Sequence, residues 1–345
     1  MRRLYMDEYK PASGLIQRRH LPRTPRFPAI DMHAHLGPML MGDGYASMYD
    51  TEAQAEKLRS CGLEKMVSLE LVWGESYKRL REKLERAGDF FVIFPSVDIA
   101  KFGDPGFERE TVKTIGEYRA GGVRAIKLWK NITLTVKNAD SAALRLDDPR
   151  LAPVFAGAGE EGLPIVIHIG DPPPFFRENS ETNEYYNCLR EHPEWSFHRP
   201  GLASFEEHME MQENLLGMYP KTTFVIAHVG SWSENLAQVA AWLDRFPNMN
   251  IDIAARIDQL GRQPYTAREF MTKYADRILF GTDYEPRIAD AGDFYTIHYR
   301  FLETKDEYFD HPFESLGMWK IYGLGLDDDA LRLIYRDNAA RILKL

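Results

Sequence analysis

The strongest constraint on the fold is the recurrence, along most of this chain, of apolar stretches of strand length that are almost unbroken by polar residues. They read Ala29–Leu36 (AIDMHAHL), Lys65–Val72 (KMVSLELV), Phe90–Asp98 (FFVIFPSVD) and Val123–Trp129 (VRAIKLW), followed by Ile165–Gly170 (IVIHIG), Thr223–Val229 (TFVIAHV), Asn250–Ala255 (NIDIAA) and Ile278–Asp283 (ILFGTD). A strand with one wet face alternates apolar and polar residues, whereas a continuous apolar run belongs to a strand covered on both faces. Between the runs lie segments of helical period that stop at Gly or Pro: Thr51–Cys61 before Gly62, Ser76–Ala87 before Gly88, Glu108–Ala120 before Gly121, and Glu234–Phe246 before Pro247. A helix, a Gly or Pro, and then a buried strand is the sequence form of a helix returning to a parallel sheet.

Eight buried strands separated by helices predict a (β/α)8 TIM barrel, an α/β fold built as a single domain. The competitor, an open doubly wound sheet, rarely needs eight strands, and no Gly-x-Gly-x-x-Gly turn leads from one of these strands into a helix. A closed barrel uses about 250 residues, so a chain of 345 carries extra segments. Residues 1–28 precede the first strand and read as an arm wrapping a barrel that spans 29–345. The second extra segment, 171–208, follows the fifth strand and contains Phe175, Phe176, Tyr185, Tyr186, Trp195 and Phe197. A long aromatic loop at the C-terminal end of a barrel strand lies over the active-site face, so it is expected to act as a lid. The same aromatic surface suits contact with a neighbouring subunit, which leaves a homo-oligomer open.

Charge and cysteine content exclude several classes of function. With 43 Lys+Arg against 52 Asp+Glu, the net charge is −9, and a chain that repels phosphate overall is a poor nucleic-acid binder. Uncharged stretches such as Thr222–Ser233 reach only about a dozen residues, short of the ~20 a membrane helix needs. The first twenty residues begin basic, but Asp7, Glu8 and Lys10 stand where a secretion signal has its apolar core. Two cysteines, Cys61 and Cys188, are too few for a disulfide framework, and a reducing cytoplasmic setting is the expectation. The partner left by these exclusions is a small-molecule substrate.

Histidine placement carries the chemistry. His33 and His35 stand two apart on the first strand, so both rings project from the same face near its C-terminal end. Two converging neutral imidazoles suit a transition metal. His168 and His228 take the same late position on the fifth and sixth strands, and Asp283 does so on the eighth. Buried imidazoles need a hydrogen-bond partner or a metal. Five ligand-type side chains at the catalytic ends of four barrel strands make a metal site the expectation.

These motifs, Asp31-Met32-His33-Ala34-His35, the two strand-end histidines, Gly281-Thr282-Asp283 and the closing segment GLDDDALRLIYRDNAARIL (Gly325–Leu343), resemble the amidohydrolase superfamily. Their order is similar to that of its amidohydrolase-2 branch of metal-dependent barrel hydrolases, from about Ala29 onward. The resemblance implies one divalent ion held by His33, His35, His168 and Asp283, commonly zinc, with manganese as the alternative. It implies that His228 stands just outside the ligand set, handling a proton or polarising substrate. Such an ion lowers the pKa of bound water toward ~7, Asp283 can accept the water's proton, and Asp31 is placed to orient a ligand imidazole. The branch also includes nonoxidative decarboxylases and hydratases, the carboxymuconate-semialdehyde decarboxylase-like lyases. The two expected activities are therefore hydrolysis of an amide, lactone or ester, and lyase chemistry on an aromatic or unsaturated acid.

Lys127 is the one charge in the apolar stretch AIKLW of the fourth run (Ala125–Trp129). In some superfamily members a carbamylated lysine on that strand bridges two metals, which would draw His228 into a second ligand set. The other reading is a paired structural cation. For substrate binding, Arg177 and Arg199 in the insertion and Arg256 after the seventh strand offer the planar fork that grips a carboxylate. Arg256 is the best placed of the three, and Trp129, Lys130 and Asn131 follow the fourth strand toward the same pocket.

Overall fold

The computed structural model describes every residue except 1, 6, 7, 10, 138–142 and 314–315. Each of the eight apolar runs carries a strand: β1 (Ala29–Ala34), β2 (Leu63–Leu69), β3 (Phe91–Phe94), β4 (Ile126–Leu128), β5 (Ile165–Ile167), β6 (Phe224–Ile226), β7 (Met249–Asp252) and β8 (Ile278–Leu279). They pair in parallel as β1-β2-β3 and as β4-β5-β6-β7-β8. Backbone hydrogen bonds bridge the intervals between the two ladders. Lys127 N–H donates to Pro95 O at 2.8 Å, and on the other side Met32 N–H donates to Phe280 O at 2.9 Å and Asp283 N–H to His33 O at 2.8 Å.

After successive strands come α1 (Thr51–Ser60), α2 (Gly74–Leu84), α3 (Phe107–Ala120), α4 (Ala152–Glu160), α5 (Phe205–Met218), α6 (Leu236–Arg245), α7 (Pro264–Lys273) and α8 (Ala291–Glu303). The strand–helix alternation is that of the expected (β/α)8 barrel. Local sequence accounts for several helix starts. Asp50 accepts from Ala53 N–H to cap α1, Ser204 and Glu207 form a reciprocal capping box on α5, and Asp290 accepts from Asp293 N–H to cap α8. The closing segment folds as Asp328–Arg332, a π-turn at Leu333–Asp337, and Asn338–Leu343. Asn338 explains its place there, because its amide donates to Ala275 O and Ile278 O at the entry to β8.

Ile30, Met32, Val67, Leu69, Val166, Val225 and Leu279 form a strand cluster with Ile342 and Leu343 of the closing helix. The larger core lies between strands and helices, where Ile126, Leu128, Ile165, Ile167, Phe224 and Ile226 meet helix residues such as Ile115, Phe155 and Trp242. Four residues of the N-terminal arm, Met1, Met6, Asp7 and Lys10, lie outside the described residues. Its C-terminal part is tied to the body by Arg23–Asp293 and Arg26–Asp328 ion pairs of 2.6 Å. His20 Nδ1 lies 2.6 Å from Asp306 Oδ1. The insertion after β5 ends at Ser204 rather than at residue 208, because the Ser204–Glu207 capping box starts α5 there.

Asp31 does not orient a ligand ring. Its fully buried carboxylate accepts from Thr282 Oγ1 at 2.5 Å, Tyr295 Oη at 2.6 Å, and the N–H groups of His33 and Thr282. It thus clasps β1 to the end of β8 and to α8. Burial pushes its pKa up to about 6 against these hydrogen bonds. Asp31→Ala strands buried donors, each costing about 1–3 kcal/mol, and should lower unfolding free energy by about 2–4 kcal/mol in a denaturant titration. A loss below about 0.5 kcal/mol, the range of an ordinary surface substitution, rejects the clasp.

Candidate metal centre

The strand ladders end before the chemistry begins. His35, Glu70, His168, His228 and Asp283 stand one to four residues past the last residue of their strands, at the barrel mouth, and His35, Glu70, His168 and Asp283 still donate their backbone N–H groups across the strands. His33 Nε2 lies 3.4 Å from Asp283 Oδ1, and His35 Nε2 lies 3.2 Å from the same oxygen. These three residues form a group able to hold a metal ion. His33 Nδ1 is 2.8 Å from Asp252 Oδ2. A carboxylate there holds the ring proton on Nδ1, so Nε2 carries a bare lone pair.

A bare nitrogen and an anionic oxygen face each other, and both are buried with no hydrogen-bond partner among the described residues. Two acceptors in that position call for a cation. The donor set, two imidazoles and a carboxylate, fits zinc or a similar divalent ion. Electrostatics agree. Burial lowers the His33 pKa against the pull of Asp252 and Asp283, so the ring is neutral as a ligand must be. Burial alone would raise that of Asp283, but positive charge at the His33 and His35 rings pulls it well below the usual carboxylate range; with the rings neutral, a bound cation would supply that charge. The Asp283 side chain keeps 26% exposure and opens to the cavity.

His168 is not in the three-residue group. Its Nδ1 lies 3.2 Å from His228 Nε2, and its Nε2 lies 3.4 Å from Asp171 Oδ1. His228 Nδ1 is 2.8 Å from Ala254 O, and a carbonyl can only accept, so the His228 proton sits on Nδ1. His168 must then donate its own Nδ1–H to His228, which leaves His168 Nε2 bare, buried and without a hydrogen-bond partner. Burial and the nearby Lys130 push the His168 pKa down to about 3. Burial, His168 and Arg256 take that of His228 well below its usual value.

Backbone strain collects at the same rim. His228, Val229, Ser231, Ala255 and Asp283 all have φ between 48° and 66°, a left-handed conformation that costs a non-glycine residue about 1–2 kcal/mol. The β-branched Val229 is the most costly of them. Such strain is held where surrounding contacts over-determine it, commonly at functional sites. Here Asp252 Oδ1 accepts from the His228 N–H at 2.9 Å and from the Ala254 N–H at 3.1 Å.

Above the group opens a cavity of about 470 Å³, lined by His35, His168, His228, Asp283 and Arg256, with aromatic walls from Trp129, Phe175, Tyr185, Trp195 and Phe294. Of the substrate residues expected from sequence, Trp129 and Arg256 line it. Arg199 does not: its guanidinium donates to Ser196 O and Glu194 O of its own loop, which holds it at the surface. Arg177 is exposed and likewise absent from the lining. Lys130 does line the cavity, paired with Asp171 at 2.5 Å, and Arg287 is a further cation there. The insertion contributes Asp171, Pro172, Phe175, Tyr185 and Trp195 to the walls, with Phe175, Tyr185, Cys188, Leu189 and Phe197 as its own small core.

Lys127 Nζ is buried without a hydrogen-bond partner among the described residues. Burial lowers its pKa to about 8, opposed by Asp252, Asp283 and Glu70. Three acidic residues escaped sequence reasoning: Asp252, Glu70 and Asp171. Glu70 accepts the N–H groups of Gly37 and Met39 and lies 3.9 Å from His35 Nδ1. A lone charge inside an apolar run, the feature that singles out Lys127, also marks Asp252 in NIDIAA and Glu70 in VSLELV.

The family pattern described as "Amidohydrolase" matches residues 30–345. The chain belongs to the amidohydrolase family. No curated protein matches this amidohydrolase, but solved structures do. An uncharacterized TIM-barrel protein from Bordetella bronchiseptica is 16% identical, with 92% of this chain and 99% of that one covered at a TM-score of 0.58. The 2,6-dihydroxybenzoate decarboxylase from Rhizobium is 17% identical, with 92% and 99% covered at 0.55. A dihydroorotase from Campylobacter jejuni is 12% identical, with 92% and 83% covered at 0.53. At such identities the likeness concerns the barrel, which hosts both decarboxylases and hydrolases. No helix among the described residues of this amidohydrolase is long and apolar enough to cross a membrane.

Proposed function

We propose that this amidohydrolase is a metal-dependent hydrolase that attacks an amide, lactone or ester of a small carboxylated molecule. The observation that carries the reading is the convergence of His33 Nε2, His35 Nε2 and Asp283 Oδ1, within 3.4 Å along each histidine–aspartate edge, beneath the cavity. His168, with its bare Nε2, is the proposed fourth ligand. One zinc ion held there, or manganese in its place, would supply the Lewis acidity that polarises a carbonyl and acidifies water. Asp283, kept anionic and partly open to the cavity, takes up the proton released when water attacks. His228, kept neutral by burial, manages the second proton at Nε2, on the side toward His168 and the cavity.

Both His228 nitrogens are already engaged, Nδ1 on Ala254 O and Nε2 on His168. That arrangement supports one ion over two and leaves Lys127 as a buried amine rather than a bridge. Arg256, Lys130 and Arg287 offer cationic contacts to a substrate carboxylate, beside Trp129 as an aromatic wall. The aromatic lining also favours a second reading, a lyase that removes carbon dioxide from an aromatic acid or hydrates an unsaturated one.

Zinc-loaded protein assayed against esters, lactones and amides, each with and without a carboxylate, should hydrolyse the carboxylated members preferentially. Arg256→Met should erase at least about tenfold of that preference, the cost of one charge-assisted contact. Release of carbon dioxide from aromatic acids, with the hydrolysis panel inert, would replace hydrolase with lyase.

A further inference from the structure

We propose that Asp252 on β7 is a positioning residue that sets which nitrogen of His33 is free to bind a metal ion, and at the same time pins the strained turn carrying His228. The inference deepens the metal-dependent reading and rests on it. Asp252 is fully buried and is not among the cavity-lining residues, so it acts through its neighbours. Its two oxygens divide the work. Oδ2 takes His33 Nδ1–H at 2.8 Å; Oδ1 takes the N–H of His228 at 2.9 Å and of Ala254 at 3.1 Å.

The grouping of His33, His228 and Asp252 is close enough to hold an ion by itself. The hydrogen bonds argue for another use. Both carboxylate oxygens are occupied by N–H donors, and a proton on His33 Nδ1 directs that ring's lone pair to Nε2, toward His35 and Asp283. A carboxylate behind a ligand imidazole also makes the ring a stronger donor to the metal. The second oxygen stabilises a backbone that would otherwise resist φ of 59° at His228. The same oxygen holds the N–H of Ala254, beyond β7, whose carbonyl meets His228 Nδ1. One side chain therefore sets the tautomer of His33 directly and that of His228 through the chain it anchors.

Asp252→Asn separates these roles. The asparagine must turn its oxygen to the two backbone N–H groups, because its NH₂ there would oppose two donors. The NH₂ then faces His33 Nδ1 and donates to it, which moves the His33 proton to Nε2 and blocks the metal-binding nitrogen. Histidine-selective ¹⁵N NMR on metal-free protein should show the Nδ1–H tautomer of His33 in the wild type and the Nε2–H tautomer in Asp252→Asn. Zinc affinity, measured by chelator competition, should fall about 10–100-fold in this variant. Glu70→Gln removes a neighbouring buried charge 3.9 Å from His35 Nδ1, outside hydrogen-bond range of that ring, and should lose much less.

An Nε2–H tautomer of His33 in the metal-free wild type overturns the proposal, whatever the variant's folding. So does an unchanged tautomer in a folded Asp252→Asn protein, or equal zinc losses in the two variants. Wild-type protein that takes up no zinc sinks the hydrolase reading instead, and the metal-free tautomers still decide the role of Asp252.

Discussion

Dialysis against a strong chelator should abolish turnover, and one equivalent of zinc or manganese should restore it. Asp283→Asn should lower kcat/KM by about 10³-fold or more, since it removes a metal-facing anion and the proton acceptor at once, and acid–base catalysis alone is worth about 10²–10⁴-fold. The physical basis is the unshielded meeting of the Asp283 oxygen with the lone pair of His33. An ion relieves that repulsion; an asparagine relieves it too, through its NH₂, but offers the metal no anion. Stability should follow activity, because an ion at 100 times its Kd holds the native state by about 2.7 kcal/mol. A melting temperature that drops on chelation and recovers on reloading reports the site independently of substrate. Full activity in protein shown to be metal-free would end both the hydrolase and the lyase readings.

His228→Asn should cut turnover by about 10²–10⁴-fold while metal content stays near one ion per chain. Asparagine is a fair choice for this position, because at φ 59° it is among the few residues that tolerate the left-handed backbone. Its side-chain oxygen can still accept from an N–H but cannot shuttle a proton at neutral pH. The comparison of kcat with metal stoichiometry is what discriminates. If the variant loses metal with activity, His228 is a ligand and the two-ion arrangement with Lys127 returns. If turnover is unchanged, proton handling belongs elsewhere, and the His168–Asp171–Lys130 chain becomes the candidate.

The barrel was legible because its cause is local. Continuous apolar runs demand cover on both faces, and Gly and Pro stop the intervening helices, whereas the Ser204 cap inside the expected insertion went unread. The His33–His35 pair was legible for the same reason: two-residue spacing on a strand puts both rings on one face. Arg199 was misjudged because an arginine's reach depends on what its loop offers it, and here two carbonyls nearby hold it. Asp31 was placed in the right neighbourhood and given the wrong task; its partners Thr282 and Tyr295 are some 250 residues away in the chain.

The sequence by itself determined the alternation of strand and helix, which stretches carry strands and the kinds of atoms gathered at their C-terminal side, because these follow from periodicity and side-chain chemistry within a few residues. Only the tertiary structure decided which nitrogen is free on His33, His168 and His228. That choice depends on hydrogen bonds between distant strands: Asp252 of β7 against His33 of β1, and Ala254 beyond β7 against His228 beyond β6. A proton's location on an imidazole is set by the one acceptor within about 3 Å, and strand packing alone brings that acceptor into place.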